Sequence, residues 1–160
     1  MSSSVTSPSG AWMDYADFNR TAPEVSTALR ALAMAVEKSG LEKDLTELLK
    51  IRASQMNGCA FCTQFHLNAA RKLQVPADKL DLVAVWQDSP VFSPRERAAL
   101  EWTEQLTEMP RGGATRDAYA ALQDQFGSSE IAFLTAAIAN INAWNRIAAG
   151  LRFTPPRRDA

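Results

Sequence analysis

Glu47, Cys59, Cys62 and His66 are the residues of this chain whose types and spacing could do chemistry. The segment from Glu47 to His66 holds both cysteines and the single histidine of the 160 residues. Two thiols in a Cys-x-x-Cys arrangement, followed four residues later by an imidazole, are the parts needed for reversible dithiol and disulfide chemistry. A free thiol titrates near about 8.5, and a helix N-terminus or a nearby imidazolium lowers that by roughly one unit or more. Each unit is worth about 1.4 kcal/mol of preference for the thiolate. His66 lies one turn beyond Cys62 and supplies a proton acceptor or donor. In many Cys-x-x-Cys helices the first cysteine is the more exposed and more acidic one, so spacing alone leaves the roles of Cys59 and Cys62 open.

These residues need helices to hold them. Apolar residues recur at helical spacing along the chain, with no sustained alternation or β-branched enrichment of the kind a strand requires. The expectation is an all-α fold, a compact single-domain bundle of about six to seven helices. The first covers about 23–38, with Pro23 in the first turn and Gly40 beyond its end; the second runs over about 41–56. Asn57-Gly58 then breaks the pattern, and a third helix over about 59–73 places both cysteines at its N-terminus, where unpaired backbone N–H groups favour an anionic sulfur. Helices over about 77–86, 95–108, 115–126 and 128–150 complete the bundle. Ser93-Pro94-Arg95-Glu96 reads as a capping box at the start of the 95–108 helix.

On the third helix, Cys59, Cys62, His66, Ala69, Ala70 and Leu73 fall on one side, and Gln64, Asn68 and Arg71 on an opposite face expected to be solvated. Glu47 points nearly opposite Leu41, Leu45, Leu48 and Leu49 and has Lys43 and Lys50 at pairing distance along its helix. By spacing alone it reads as a solvated carboxylate in i,i+3 and i,i+4 pairs, and Arg52 joins the same charged face. Asn142 and Asn145 interrupt an apolar stripe of the last helix, where buried amides serve as interhelical ties or caps.

Composition narrows the function. With 46% hydrophobic and 22% charged residues and a formal net charge of -1, the chain offers no field for nucleic acid or an anionic membrane. No run of about eighteen apolar residues suggests a membrane span. The Ser-rich start lacks a basic n-region and an apolar h-region, so it does not resemble a secretory signal and reads as a disordered tail over residues 1–11. A cysteine pair without an export signal points to a cytoplasmic, reducing compartment. The folded domain is expected over residues 12–153, with a mobile tail over 154–160 that carries Pro155-Pro156-Arg157-Arg158.

The order Glu, eleven residues, Cys-x-x-Cys, three residues, His, with Ser54-Gln55-x-Asn57-Gly58 leading into the cysteines, resembles the alkylhydroperoxidase D-like branch of the carboxymuconolactone decarboxylase superfamily. The likeness extends over residues 12–153, including the late segment Asn142-Ala143-Trp144-Asn145-Arg146. It implies an all-helical subunit that assembles into homo-trimers or homo-hexamers and reduces hydroperoxides at a cysteine pair without haem, flavin or metal. In that scheme Cys62 matches the attacking cysteine and Cys59 the resolving one, while Glu47 and His66 match a proton relay, which reverses the solvated reading of Glu47. The electron donor would be a dithiol or another redox protein. One position departs from the best-studied relatives: Phe61 stands where they carry a second histidine.

Other readings use the same residues. A structural zinc site would need Glu47 as fourth ligand beside Cys59, Cys62 and His66. A thioredoxin-like fold would place the motif after a strand, against the helical pattern here. A decarboxylase of the same superfamily would not rely on a cysteine pair. A disulfide oxidoreductase, electron adaptor or redox sensor would form the disulfide with little peroxide turnover.

Overall fold

The structure, a computed structural model, describes residues 10–159, so the tail expected over 1–11 lies, apart from Gly10 and Ala11, outside the described residues. All regular structure among the described residues is helical. Eight α-helices occur, α1 (Tyr15–Thr21), α2 (Pro23–Lys38), α3 (Lys43–Met56), α4 (Ala60–Lys72), α5 (Ala77–Leu82), α6 (Pro94–Glu108), α7 (Arg116–Gln123) and α8 (Ser128–Gly150), with a 3-10 segment, Val83–Asp88, after α5. None of them is long and apolar enough to cross a membrane.

The bundle is built around α3, which packs against α4, α6 and α8. Leu45, Leu48, Leu49 and Ile51 of α3 are buried with Ala99 and Leu100 of α6, Leu122 of α7 and Leu134 and Ile138 of α8. Each such leucine or isoleucine contributes about 1.5–3 kcal/mol when fully withdrawn from water, which is what holds the short helices in place. The capping box at α6 forms as the sequence predicts: Ser93 Oγ accepts the Glu96 N–H at 3.2 Å and a Glu96 carboxylate oxygen accepts the Ser93 N–H at 2.8 Å.

The helix count exceeds the expected six to seven through α1, and one expected helix is shorter than its period suggests. The seven-residue α1 is too short to show a period and is instead fixed by its cap, the Asp14 carboxylate accepting the Tyr15 N–H, and by buried Phe18. The helix expected over 77–86 ends at Leu82, because Val85 leaves helical backbone angles (φ −128°, ψ 34°) while Val83 and Trp86 turn into the core. Trp86 Nε1 donates to Glu104 Oε1 at 2.8 Å, and the same oxygen accepts from Arg52 Nε at 2.7 Å. Arg52 is thus an interhelical tie to α6 and not part of a solvated face.

Residues 154–159 form no helix but lie against the fold. Asn68 Nδ2 donates to the Arg157 carbonyl at 2.8 Å, Lys72 Nζ pairs with Asp159 at 2.7 Å, and the Thr154 N–H donates to Asp14 at 3.3 Å.

Candidate active site

The turn between α3 and α4 is what presents the cysteines. Asn57 closes α3 and Gly58 takes φ +65°, a left-handed conformation that glycine adopts without cost. The Cys59 N–H returns to the Ser54 carbonyl at 3.0 Å and the Gly58 N–H to Gln55 at 3.2 Å. Those bonds satisfy the last carbonyls of α3 and reverse the chain within two residues. Asn57 Nδ2 then donates to Asn142 Oδ1 and Asn145 Oδ1, each at 2.9 Å, and Asn145 Nδ2 donates to Ser54 Oγ at 3.0 Å. Asn142 and Asn145 are therefore interhelical ties that fasten the turn to α8, the use expected for them.

Cys59 is the N-cap of α4 and Cys62 sits in its first turn; the two are joined in a disulfide, with Cα atoms 5.4 Å apart. The Cys59 sulfur also accepts the Cys62 N–H at 3.2 Å, so the backbone donors at the helix start face the pair. Both sulfurs are buried in a small apolar cluster with Phe18, Ala53, Ile141, Ala148 and Phe153. Dry surroundings raise the cost of an isolated thiolate, so a charge or proton partner has to accompany it.

Glu47 and His66 are a hydrogen-bonded pair that lines the same cavity as Cys62. Glu47 is 8% exposed and spends one carboxylate oxygen on each of two neighbours: His66 Nδ1 at 2.7 Å and Lys50 Nζ at 2.7 Å. Burial pushes the Glu47 carboxyl up, but the His66 hydrogen bond and the charges of His66 and Lys50 outweigh it, and the group lies below its usual range. A carboxylate can only accept, so the hydrogen of this bond sits on Nδ1 and Nε2 is the ring atom left to exchange a proton.

Cys62, Glu47, Lys50 and His66 all line one cavity of about 600 Å³ whose other walls are largely apolar, among them Phe61, Phe65, Ile141 and Trp144. Cys59 opens on a different, shallower cleft of about 440 Å³ with Ser54, Gln55, Gly58, Thr63 and Pro155. Phe61 is part of an aromatic wall, its ring centroid 5.2 Å from Tyr15, 5.3 Å from Phe153 and 6.0 Å from Phe65.

The four residues singled out in the sequence thus meet on facing helices. Two expectations are corrected. Glu47 is buried and not solvated, because α3 has neighbours on several sides and its polar side looks onto α4. The polar side of α4 is not simply solvated either: Asn68 is buried under the backbone of residues 157–159, while Leu73, placed with the cysteines by spacing, is exposed. Lys50, which spacing sets on a charged surface, lines the same cavity through its i,i+3 pair with Glu47, the one sequence signal that points to it. Among the described residues no group of three or more His, Cys, Asp or Glu side chains is arranged to hold a metal ion.

Residues 23–105 match the sequence pattern of the carboxymuconolactone decarboxylase family, a span that contains Glu47, Cys59, Cys62 and His66. The chain is 33% identical over 126 residues to YdfG, an uncharacterized protein of Bacillus subtilis, covering 79% of this chain and 86% of that one. A crystal structure of an Agrobacterium tumefaciens protein of unknown function, a candidate antioxidant defence protein AhpD, superposes with a TM-score of 0.84 at 39% identity, over 89% of this chain and 97% of that one. An uncharacterized peroxidase-related protein of Ralstonia eutropha with an AhpD core shares the fold at a TM-score of 0.77 and 22% identity, over 88% and 75% of the two chains.

Proposed function

The chain belongs to the carboxymuconolactone decarboxylase family, in its alkylhydroperoxidase D-like branch, and on that premise we propose that it is a thiol-dependent peroxidase that reduces hydroperoxides with its Cys59–Cys62 pair. The observation that carries this reading is that Cys62 shares one cavity with the Glu47–His66 pair while lying within disulfide reach of Cys59.

In the reduced protein His66 Nε2 takes the Cys62 proton, with Glu47 holding the ring through Nδ1. The thiolate attacks the terminal oxygen of the hydroperoxide and the O–O bond breaks. The departing alkoxide leaves as an alcohol with the proton from His66, and Cys62 becomes a sulfenic acid. Cys59 then attacks the Cys62 sulfur, hydroxide leaves and is protonated to water, and the disulfide forms. A dithiol or a redox protein returns two electrons and two protons to the pair. Lys50 and Glu47 keep charge balanced in the buried site throughout.

Hydroperoxide consumption should be followed with excess dithiol for the wild type, Cys62→Ser and Cys59→Ser. Sustained turnover is expected from the wild type and none from Cys62→Ser. Cys59→Ser should complete one slow turnover and end in a sulfenic acid that dimedone traps on Cys62. A wild type that forms its disulfide once per chain and then stops, dithiol notwithstanding, would instead identify a redox sensor or electron adaptor, the reading that Phe61 in place of a second histidine favours. Thiols that resist peroxide altogether would remove both.

A further inference from the structure

Taking the dithiol–disulfide cycle above as its basis, we infer that the reductant attacks Cys59, reaching it through the uncharged cleft of Ser54, Gln55, Gly58, Thr63 and Pro155, on a route separate from the cavity where Cys62 meets peroxide.

The disulfide stands between two openings that have no lining residue in common. Cys62 faces the cavity of about 600 Å³ with Glu47, Lys50 and His66, whereas Cys59 faces the cleft of about 440 Å³, whose side chains are all uncharged. Thiol–disulfide exchange is an in-line displacement: the entering sulfur approaches along the extension of the S–S bond and the far sulfur leaves. Entry from the cleft therefore attacks Cys59 and expels Cys62; entry from the cavity does the reverse.

The surroundings of the leaving sulfur decide between them. A departing Cys59 thiolate would have the Cys62 N–H at 3.2 Å but no acid among the cleft side chains. A departing Cys62 thiolate emerges beside His66, which Glu47 orients and which can share or return a proton. A better-stabilised leaving thiolate leaves faster. It also emerges in the state and place that the next peroxide requires. In full, one thiolate of the dithiol bonds to Cys59 and Cys62 leaves with the electron pair of the broken S–S bond. The second thiol of the donor, deprotonated, attacks the donor's own sulfur, closes the donor disulfide and releases Cys59, which takes up the proton. The pair gains two electrons and the donor loses two.

Pro155 makes the segment after α8 one wall of this route. That wall is held from α4 by Asn68 on the Arg157 carbonyl at 2.8 Å and by Lys72 on Asp159 at 2.7 Å.

The test begins from protein oxidised with diamide, so that the disulfide is present whatever the peroxidase activity; failure to turn over peroxide bears on the proposed function alone. A brief exposure to glutathione is quenched with acid and N-ethylmaleimide, and the peptide that carries both cysteines is fragmented to place each label. Glutathione on Cys59 with N-ethylmaleimide on Cys62 is expected. The opposite placement, or an even split, would overturn the inference. In parallel, Thr63→Trp, which narrows the cleft, should slow reduction of the disulfide by dithiothreitol about tenfold while peroxide oxidises the reduced variant within about twofold of the wild-type rate. Unchanged reduction in a variant with native circular dichroism would also overturn it.

Discussion

Glu47 is a carboxylate that burial alone would neutralise, kept ionic by two partners that each take one of its oxygens. Its folded-state titration lies below the ordinary carboxyl value of 4.5, so its contribution to stability is fully present above that value and is lost as pH falls through the lower, folded one. Urea unfolding of the wild type and Glu47→Gln should show a gap at neutral pH that closes on acidification; a gap constant with pH would mean that the carboxylate is not held as described. For chemistry, Glu47→Gln keeps an oxygen that can accept from His66 Nδ1 but removes the negative charge that stabilises a protonated ring, and the first oxidation by hydroperoxide should slow by about 10²-fold, within the range that positioned proton transfer supplies. Diamide should still form the disulfide in that variant. Unchanged peroxide kinetics would return Glu47 to a structural role. Cys59, Cys62 and His66 were legible from spacing, because a helical period fixes the face on which they sit. Glu47 is not: the period of α3 sets it opposite the leucine stripe, resemblance alone points to it, and what buries it is the packing of α3 against α4, which no period shows.

At the scale of elements, the cysteines are placed by a reversal that three asparagines tie to α8. Asn145 is fully buried, accepts from Asn57 at the end of α3 and donates to Ser54 one turn earlier. Asn145→Ala deletes both bonds, leaving Asn57 with Asn142 and Ser54 with the Lys50 carbonyl, and should cost about 2–3 kcal/mol in urea unfolding, as expected when a buried hydrogen-bonded polar group is deleted. Asn145→Asp retains the acceptor and loses the donor, so a loss intermediate between wild type and alanine would mark the two bonds as separate contributions. A loss below about 0.5 kcal/mol for Asn145→Ala, the size of an ordinary surface change, would show that the turn does not depend on this tie. Local signals made most elements readable: Pro23 and Pro94 at helix starts, the Ser93–Glu96 box, Asn57-Gly58 at the break. The shift to 3-10 geometry after Leu82 was not readable, since it follows from where Val83 and Trp86 must lie to meet the core, and no local residue signals it.

Across the whole molecule, the two ends of the described chain converge beside the cysteine pair. The Trp12 and Met13 N–H groups donate to the Leu151 carbonyl at 3.1 and 3.3 Å, and Phe153, 4% exposed, packs its ring 5.3 Å from Phe61, 5.8 Å from Tyr15 and 5.8 Å from Phe18. Such contacts are invisible to sequence periodicity, because residues 153–159 have no period and α1 is a two-turn helix whose apolar side chains face a segment more than a hundred residues away. Phe153 therefore joins α1, α4 and the chain end into one wall around the sulfurs. Phe153→Ala should cost about 3–5 kcal/mol, the usual range for emptying a buried aromatic site. It should also open the buried pair, so that in the reduced variant both thiols react faster with a bulky alkylating reagent under native conditions. Phe153→Leu refills most of the volume and should recover more than half of both effects. If stability falls while thiol reactivity does not move, the aromatic wall serves folding alone and something else keeps solvent from the cysteines; if both move together, the meeting of the chain ends is what makes a dry redox site possible in a bundle of short helices.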